Sequence, residues 1–134
     1  MKTILYVEDN ALIVHAYRAV LLREGFQVEV AEDGLTAAKM LSKSKPDLVI
    51  LDLMIPRLTG TDVLKYIRAT PALKSTPVII LSDASKSDLA AEAIASGVER
   101  AFLKSQCTPA LLIGAINELL GRTAPGNPTP SPSA

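Results

Sequence analysis

A single cysteine, Cys107, stands in the 134 residues, so no internal disulfide can form and nothing points to an oxidising compartment. Its expected role is that of a small buried or half-buried filler. Net charge is also missing. Fourteen Lys and Arg balance fourteen Asp and Glu, leaving no overall field to draw nucleic acid or an anionic membrane. No run approaches the roughly 18 apolar residues of a membrane span, and the opening MKTILYVED meets Glu8 and Asp9 too soon to build a signal segment. The expectation is a cytoplasmic protein with no direct nucleic-acid or membrane partner. What is present is 49% hydrophobic residues, enough for the packed core of one domain.

The apolar residues follow two periods. Short runs rich in Val, Ile and Leu lie at 3–7 (TILYV), 27–31 (QVEVA), 48–51 (LVIL), 77–82 (PVIILS) and 100–103 (RAFL). Helical patterns fill the gaps. One runs over 11–24 behind the Asn10 cap and before Gly25, one from Gly34 to about 43, and one over about 60–69 before Pro71. A fourth runs over about 86–96 to Gly97, and a last one starts at Thr108-Pro109 and reaches about 120 before Gly121. Strict strand-helix alternation predicts right-handed crossovers and a parallel sheet covered on both faces. LVIL and VIIL, apolar on both sides, suit central strands; QVEVA alternates and suits an edge. From Thr123 the chain reads TAPGNPTPSPSA, with four prolines and nothing to bury. The expected division is a domain over 1–121 and a Pro-rich disordered tail or linker over 122–134.

The chemistry gathers at strand ends. In DLVILDLMIPRLTG (47–60), a run that reads as a buried strand ends on Asp52. The first strand ends at Glu8 and Asp9, the fourth at Ser82 and the fifth at Lys104. In an open parallel sheet these ends share the ligand crevice. Two carboxylates about 4 Å apart repel by roughly 4 kcal/mol at an effective dielectric near 20, so three need a proton or a cation among them. An all-oxygen site suits Mg²⁺. Zinc would want His or Cys, and neither His15 nor Cys107 sits at this edge. Asp52 is then placed to be a nucleophile toward a phosphoryl group, with Lys104 and the Ser82 hydroxyl facing its oxygens. Each residue taken singly is an ordinary solvated strand-end group; the five in this order are the signal.

Over about residues 2–121 this constellation resembles the response-regulator receiver domain of two-component signalling. The resemblance implies a flavodoxin-like (βα)5 fold, a doubly wound five-stranded parallel sheet of order 2-1-3-4-5. It also implies Glu8 and Asp9 as the acidic pair, Asp52 as phosphoacceptor, Ser82 as switch hydroxyl and Lys104 as the family's lysine. DLMIPRLTG is similar to the family signature, with Pro56 and Gly60 shaping the loop and the Met54 backbone carbonyl joining Glu8, Asp9 and Asp52 on Mg²⁺. The phosphoryl group would come from a histidine kinase or histidine phosphotransfer protein. Such a chain is not an enzyme beyond its own phosphotransfer and slow dephosphorylation.

The sequence departs from the family at several places. Ala101 stands where an aromatic is usual, and Phe102 is expected on the opposite face of the strand. Ser105 replaces a proline that commonly follows the lysine in a cis bond, so a differently arranged loop is expected. Asp83 is expected to slow donor entry, while Met54 and Ala84 cannot orient an attacking water and would lengthen the phosphorylated state. A haloacid-dehalogenase-type phosphatase needs an acid where Met54 stands. A nucleotide-binding module needs a glycine-rich loop after the first strand. The alternative within the family is a non-phosphorylated pseudo-receiver acting as an interaction module. The first helix is apolar nearly all round, and the last helix raises the same question. Both suit either tight core packing or a contact surface for a kinase, a phosphotransfer domain or a second copy.

Overall fold

A computed structural model describes residues 2–53, 57, 59–82 and 97–121, and for Ser82 and Gln106 the backbone alone. Five parallel strands, β1 (Thr3–Val7), β2 (Gln27–Ala31), β3 (Leu48–Asp52), β4 (Val78–Ser82) and β5 (Arg100–Leu103), form one sheet in the order β2-β1-β3-β4-β5. The helices among the described residues are α1 (Ala11–Arg23), α2 (Gly34–Lys43), α3 (Gly60–Ala69) and α4 (Pro109–Leu120). The helix expected over 86–96 and the tail over 122–134 lie outside the described residues. The doubly wound fold is the expected one, with small shifts at strand ends. β3 extends to Asp52. β4 starts one residue late because Pro77 has no N–H for the ladder, although its carbonyl accepts from Val49 N–H at 3.0 Å.

Local chemistry sets the helix starts. The Asn10 side chain accepts from the N–H groups of Leu12 and Ile13, Asp33 from Thr36, and Thr108 from Leu111 with Pro109 following. Thr59 and Asp62 form a reciprocal capping box at α3. α4 ends on Gly121, whose φ of 70° is the left-handed stop that glycine adopts without strain.

Alternate residues of β3 feed two cores. Val49 and Leu51 pack under α2 and α3 with Val63, Leu64 and Ile67, whereas Leu48 and Ile50 pack under α1 and α4 with Leu21, Leu112 and Ile116. Burial on both faces explains the unbroken apolar run, each such side chain contributing about 1.5–3 kcal/mol. Ala101 joins the first core and Phe102 the second, so the two do lie on opposite faces. β2, at the sheet edge, is only partly covered. α1 carries more apolar surface than its core face uses: Leu21 is buried, but Leu12 is 83% exposed.

At the amino edge of the sheet, Arg68 fastens α3 to β4 and to the segment entering β5. Its guanidinium donates to the carbonyls of Gly97, Lys74 and Thr76 at 2.8–2.9 Å and to Glu99 Oε1 at 3.0 Å. Glu99 Oε1 also accepts from Val78 N–H at 2.7 Å.

Candidate functional site

The opposite, carboxyl edge is acidic. Asp52 is the last residue of β3 and, like Leu48 and Ile50, lies on the α1/α4 side of the sheet, 3% exposed. Glu8 follows β1 directly. Its N–H extends the ladder to the Ala31 carbonyl at 3.0 Å, and its side chain is 1% exposed. The Asn10 N–H donates to Glu8 Oε2 at 3.2 Å, so the residue that caps α1 also fixes a site carboxylate. Asp9, beside it, is exposed.

Lys104 reaches this cluster from the end of β5. Its ammonium donates to Asp52 Oδ2 at 2.9 Å and stands 3.0 Å from Glu8 Oε1, an ion pair whose angle leaves that oxygen without a hydrogen bond. Burial lowers the lysine's pKa, but the hydrogen bond to Asp52 and the close negative charges of Asp52 and Glu8 outweigh it, and the net shift is upward. Glu8 moves up to about 7, because burial and then the charge of Asp52 oppose its ionisation more than Lys104 and the Asn10 N–H favour it. Among the described residues, one ammonium faces three carboxylates. One carboxylate oxygen from each of Glu8, Asp9 and Asp52 lies within 4.8 Å of the others. This all-oxygen set, two members buried and one open to solvent, fits a hard divalent cation that keeps some of its own water.

The helix behind the site is held against it by a missing side chain. A Cβ on Gly60 would sit 2.5 Å from the Asp52 carbonyl oxygen and 2.6 Å from the Leu53 Cα, so only glycine lets α3 begin here. The Gly60 N–H then donates to the Leu53 carbonyl at 3.0 Å. After Lys104 the backbone makes one 3₁₀ turn, Lys104–Gln106, and no cis peptide occurs among the described residues.

The expected residues Glu8, Asp9, Asp52 and Lys104 thus meet. Ser82 closes β4 with its backbone registered against Leu103, but its side chain, together with Met54, Pro56, Asp83 and Ala84, lies outside the described residues. His15 is not among the clustered ligand groups; it lines a cleft of about 220 Å³ with Arg18 and Glu32, which the site carboxylates Glu8 and Asp9 also border. One pair had no signal in the sequence. The Tyr17 hydroxyl on α1 donates to the Cys107 carbonyl at 2.8 Å, and its ring meets Tyr6 edge-on at 6.3 Å. Cys107 itself is buried, as expected for a filler.

A doubly wound α/β domain of order β2-β1-β3-β4-β5, with an acidic cluster and a lysine at its carboxyl edge, defines a CheY-like class of fold. The chain belongs to the response regulator receiver domain family, whose profile matches residues 4–117. It is 29% identical over 130 residues to the response regulator MprA of Mycobacterium sp. (strain KMS), covering 97% of this chain and 55% of that protein. The chain therefore spans about half the length of such curated relatives. Among solved structures, the chemotaxis response regulator CheY4 of Vibrio cholerae is 28% identical with a TM-score of 0.81, over 90% of this chain and 99% of that one. A sensor histidine kinase receiver domain from Pseudomonas aeruginosa, solved with magnesium in its active-site cleft, shares the fold. It has 24% identity and a TM-score of 0.82 over 90% of this chain and 98% of that one. The family is that of response regulators in two-component systems. Among the described residues, no helix is long and apolar enough to cross a membrane.

Proposed function

We infer that the chain is a phosphoacceptor: Asp52 takes a phosphoryl group from a histidine kinase or histidine phosphotransfer protein, and the phosphorylated form changes which partners it binds. The observation that carries this reading is the Lys104 ammonium 2.9 Å from Asp52 and 3.0 Å from Glu8, in a cluster where, among the described residues, three carboxylates meet one ammonium. A structural ion pair would match its charges; this one leaves room for a further cation. Glu8, Asp9 and Asp52 would hold Mg²⁺, joined by the Met54 carbonyl. The ion would offset the repulsion between the carboxylates and the incoming phosphoryl oxygens.

An Asp52 carboxylate oxygen attacks phosphorus in line with the P–N bond of a phosphohistidine. That bond breaks, its electron pair stays on the imidazole nitrogen, which takes up a proton, and an acyl phosphate forms on Asp52. Lys104 exchanges part of its pairing for a phosphoryl oxygen, and the Ser82 hydroxyl donates to another. The chain promotes only its own phosphorylation and slow dephosphorylation, and so is not an enzyme acting on a separate substrate. Residues 1–121 would form the working domain and 122–134 a linker or free tail, acting in the cytoplasm. A second copy of the chain is one candidate partner, because α1 and α4 leave Leu12 and Leu111 exposed.

Intact-protein mass after incubation with acetyl phosphate and Mg²⁺ tests the reading. The expected result is one phosphoryl adduct, lost in Asp52→Asn and lost with a chelator. A second reading, a receiver fold kept for binding alone, draws on Ala101, a small half-buried side chain that offers no ring to swing. Absence of the adduct in both the wild type and Asp83→Ala would establish that second reading.

A further inference from the structure

The usual aromatic of β5 is absent at Ala101, yet the turn that carries Lys104 is tied to the rest of the domain by a different aromatic. Lys104 opens the 3₁₀ turn Lys104–Gln106, and no side chain caps the start of that turn. Cys107 follows it, and Thr108 caps α4. The Tyr17 hydroxyl, 90 residues away in sequence, donates to the Cys107 carbonyl at 2.8 Å. The Tyr17 ring is fixed from the other side by its edge-on contact with Tyr6, at an interplanar angle of 88°. Tyr6 is fully buried in β1, two residues before Glu8. One side chain of α1 therefore meets both segments that deliver site residues, through the Tyr6 side chain two residues before Glu8 and through the Cys107 carbonyl just after the Lys104 turn.

We propose that Tyr17 is a positioning residue for Lys104, acting through the Cys107 carbonyl, and that the same hydrogen bond carries the state of the Asp52 site to α1. Lys104 is shared between Asp52 and Glu8 in the resting protein. A phosphoryl group on Asp52 gives it a third anionic partner. Any displacement of the lysine's backbone is transmitted within three residues to the Tyr17 hydroxyl. α1 carries that hydroxyl and also the most exposed large apolar side chain among the described residues, Leu12. The output of this chain then runs through α1, by a route that needs no aromatic at position 101.

The proposal rests on the phosphoacceptor reading, and the experiment separates the two. In the full chain, Tyr17→Phe keeps the ring against Tyr6 and removes only the hydroxyl. Phosphorylation by acetyl phosphate with Mg²⁺, followed by intact mass, is expected to show a maximal rate about fivefold lower, the worth of one neutral hydrogen bond, at an unchanged half-saturating donor concentration. The lone thiol of Cys107 supplies a second readout. In the wild type, beryllium fluoride with Mg²⁺ is expected to change its rate of reaction with Ellman's reagent, and Tyr17→Phe to abolish that change.

A merely structural tyrosine would raise thiol reactivity equally with and without beryllium fluoride; that result overturns the proposal. So does a variant that matches the wild type in both readouts. Hydrogen exchange of wild-type α1 provides a check that does not depend on the variant folding. Unchanged exchange around Tyr17 on beryllium fluoride binding, in protein that forms the acetyl phosphate adduct, refutes the route while leaving Asp52 as phosphoacceptor. No adduct in either the wild type or Asp83→Ala refutes both.

Discussion

The two edges of the sheet use the same kinds of groups for opposite ends. At the amino edge, Arg68 and Glu99 meet as one cation and one anion, and further hydrogen bonds tie them to backbone groups of Gly97, Lys74, Thr76 and Val78. At the carboxyl edge, Lys104 faces Glu8 and Asp52 with Asp9 nearby, so among the described residues three carboxylates meet one ammonium. A saturated network fixes geometry; an unsaturated one has affinity to spare for something from outside. Burial separates the edges too: Glu8 and Asp52 are 1% and 3% exposed, whereas Glu99 lies open to solvent.

Removing the cation from each edge is the sharpest test of this contrast. Lys104→Met is expected to slow phosphorylation by acetyl phosphate on the order of 10²–10³-fold, as loss of a charge-stabilising group does. Arg68→Met is expected to leave that rate within about twofold while lowering unfolding stability by roughly 2–3 kcal/mol, from carbonyls left unpaired. Denaturant titration reads the second effect. Equal rate losses in both variants would erase the distinction between the edges.

Gly60→Ala probes the wall behind the site. Its Cβ would press on the Asp52 carbonyl at 2.5 Å, and a stability loss of about 1–3 kcal/mol in thermal unfolding is expected, with slower phosphorylation because the displaced backbone is that of Asp52. Wild-type behaviour in this variant would show that α3 can shift without disturbing the carboxylate.

The smallest expected effect is a pH dependence carried by Glu8. Its pKa is raised from the ordinary 4.5 to about 7, so between these values the folded chain holds a proton that the unfolded chain releases. Stability is fully present below about 4.5 and is lost as pH rises through about 7. In chelator-treated protein stability is expected to fall as pH rises across this window, and Glu8→Gln to flatten the fall. A variant with the wild-type slope would place the titrating proton elsewhere.

Much of this was legible in the sequence wherever the deciding physics is local. The apolar run 48–51 must be a strand buried on both faces, Asn10 and Thr108 announce helix starts, and strict alternation forces the parallel sheet. Asp52 stood out because a charge ends an apolar strand, and Lys104 because its run of four apolar and basic residues ends at the same edge. What escaped is tertiary. Tyr17 reads as one more face residue of an apolar helix, and its bond to Cys107 spans 90 positions. Arg68 reads as a helix-end cation, whereas its partners come from two separate segments, 74–76 and 97–99. Gly60 was visible as a loop-shaping residue, but its near-contact with the Asp52 carbonyl depends on how closely α3 meets β3, which no local pattern encodes.

The strand order also has a consequence for a chain made from its amino end. β2, β1 and β3 are neighbours and all precede residue 53, so the parts bearing Glu8, Asp9 and Asp52 exist well before Lys104 at the end of β5. During synthesis the carboxylates can gather while their ammonium is still unmade. Near neutral pH that half-sheet carries uncompensated repulsion, and its stable docking is deferred until β4 and β5 arrive. The crowding of carboxylates in the finished site thus also acts earlier, as a brake against closing the first half of the domain alone.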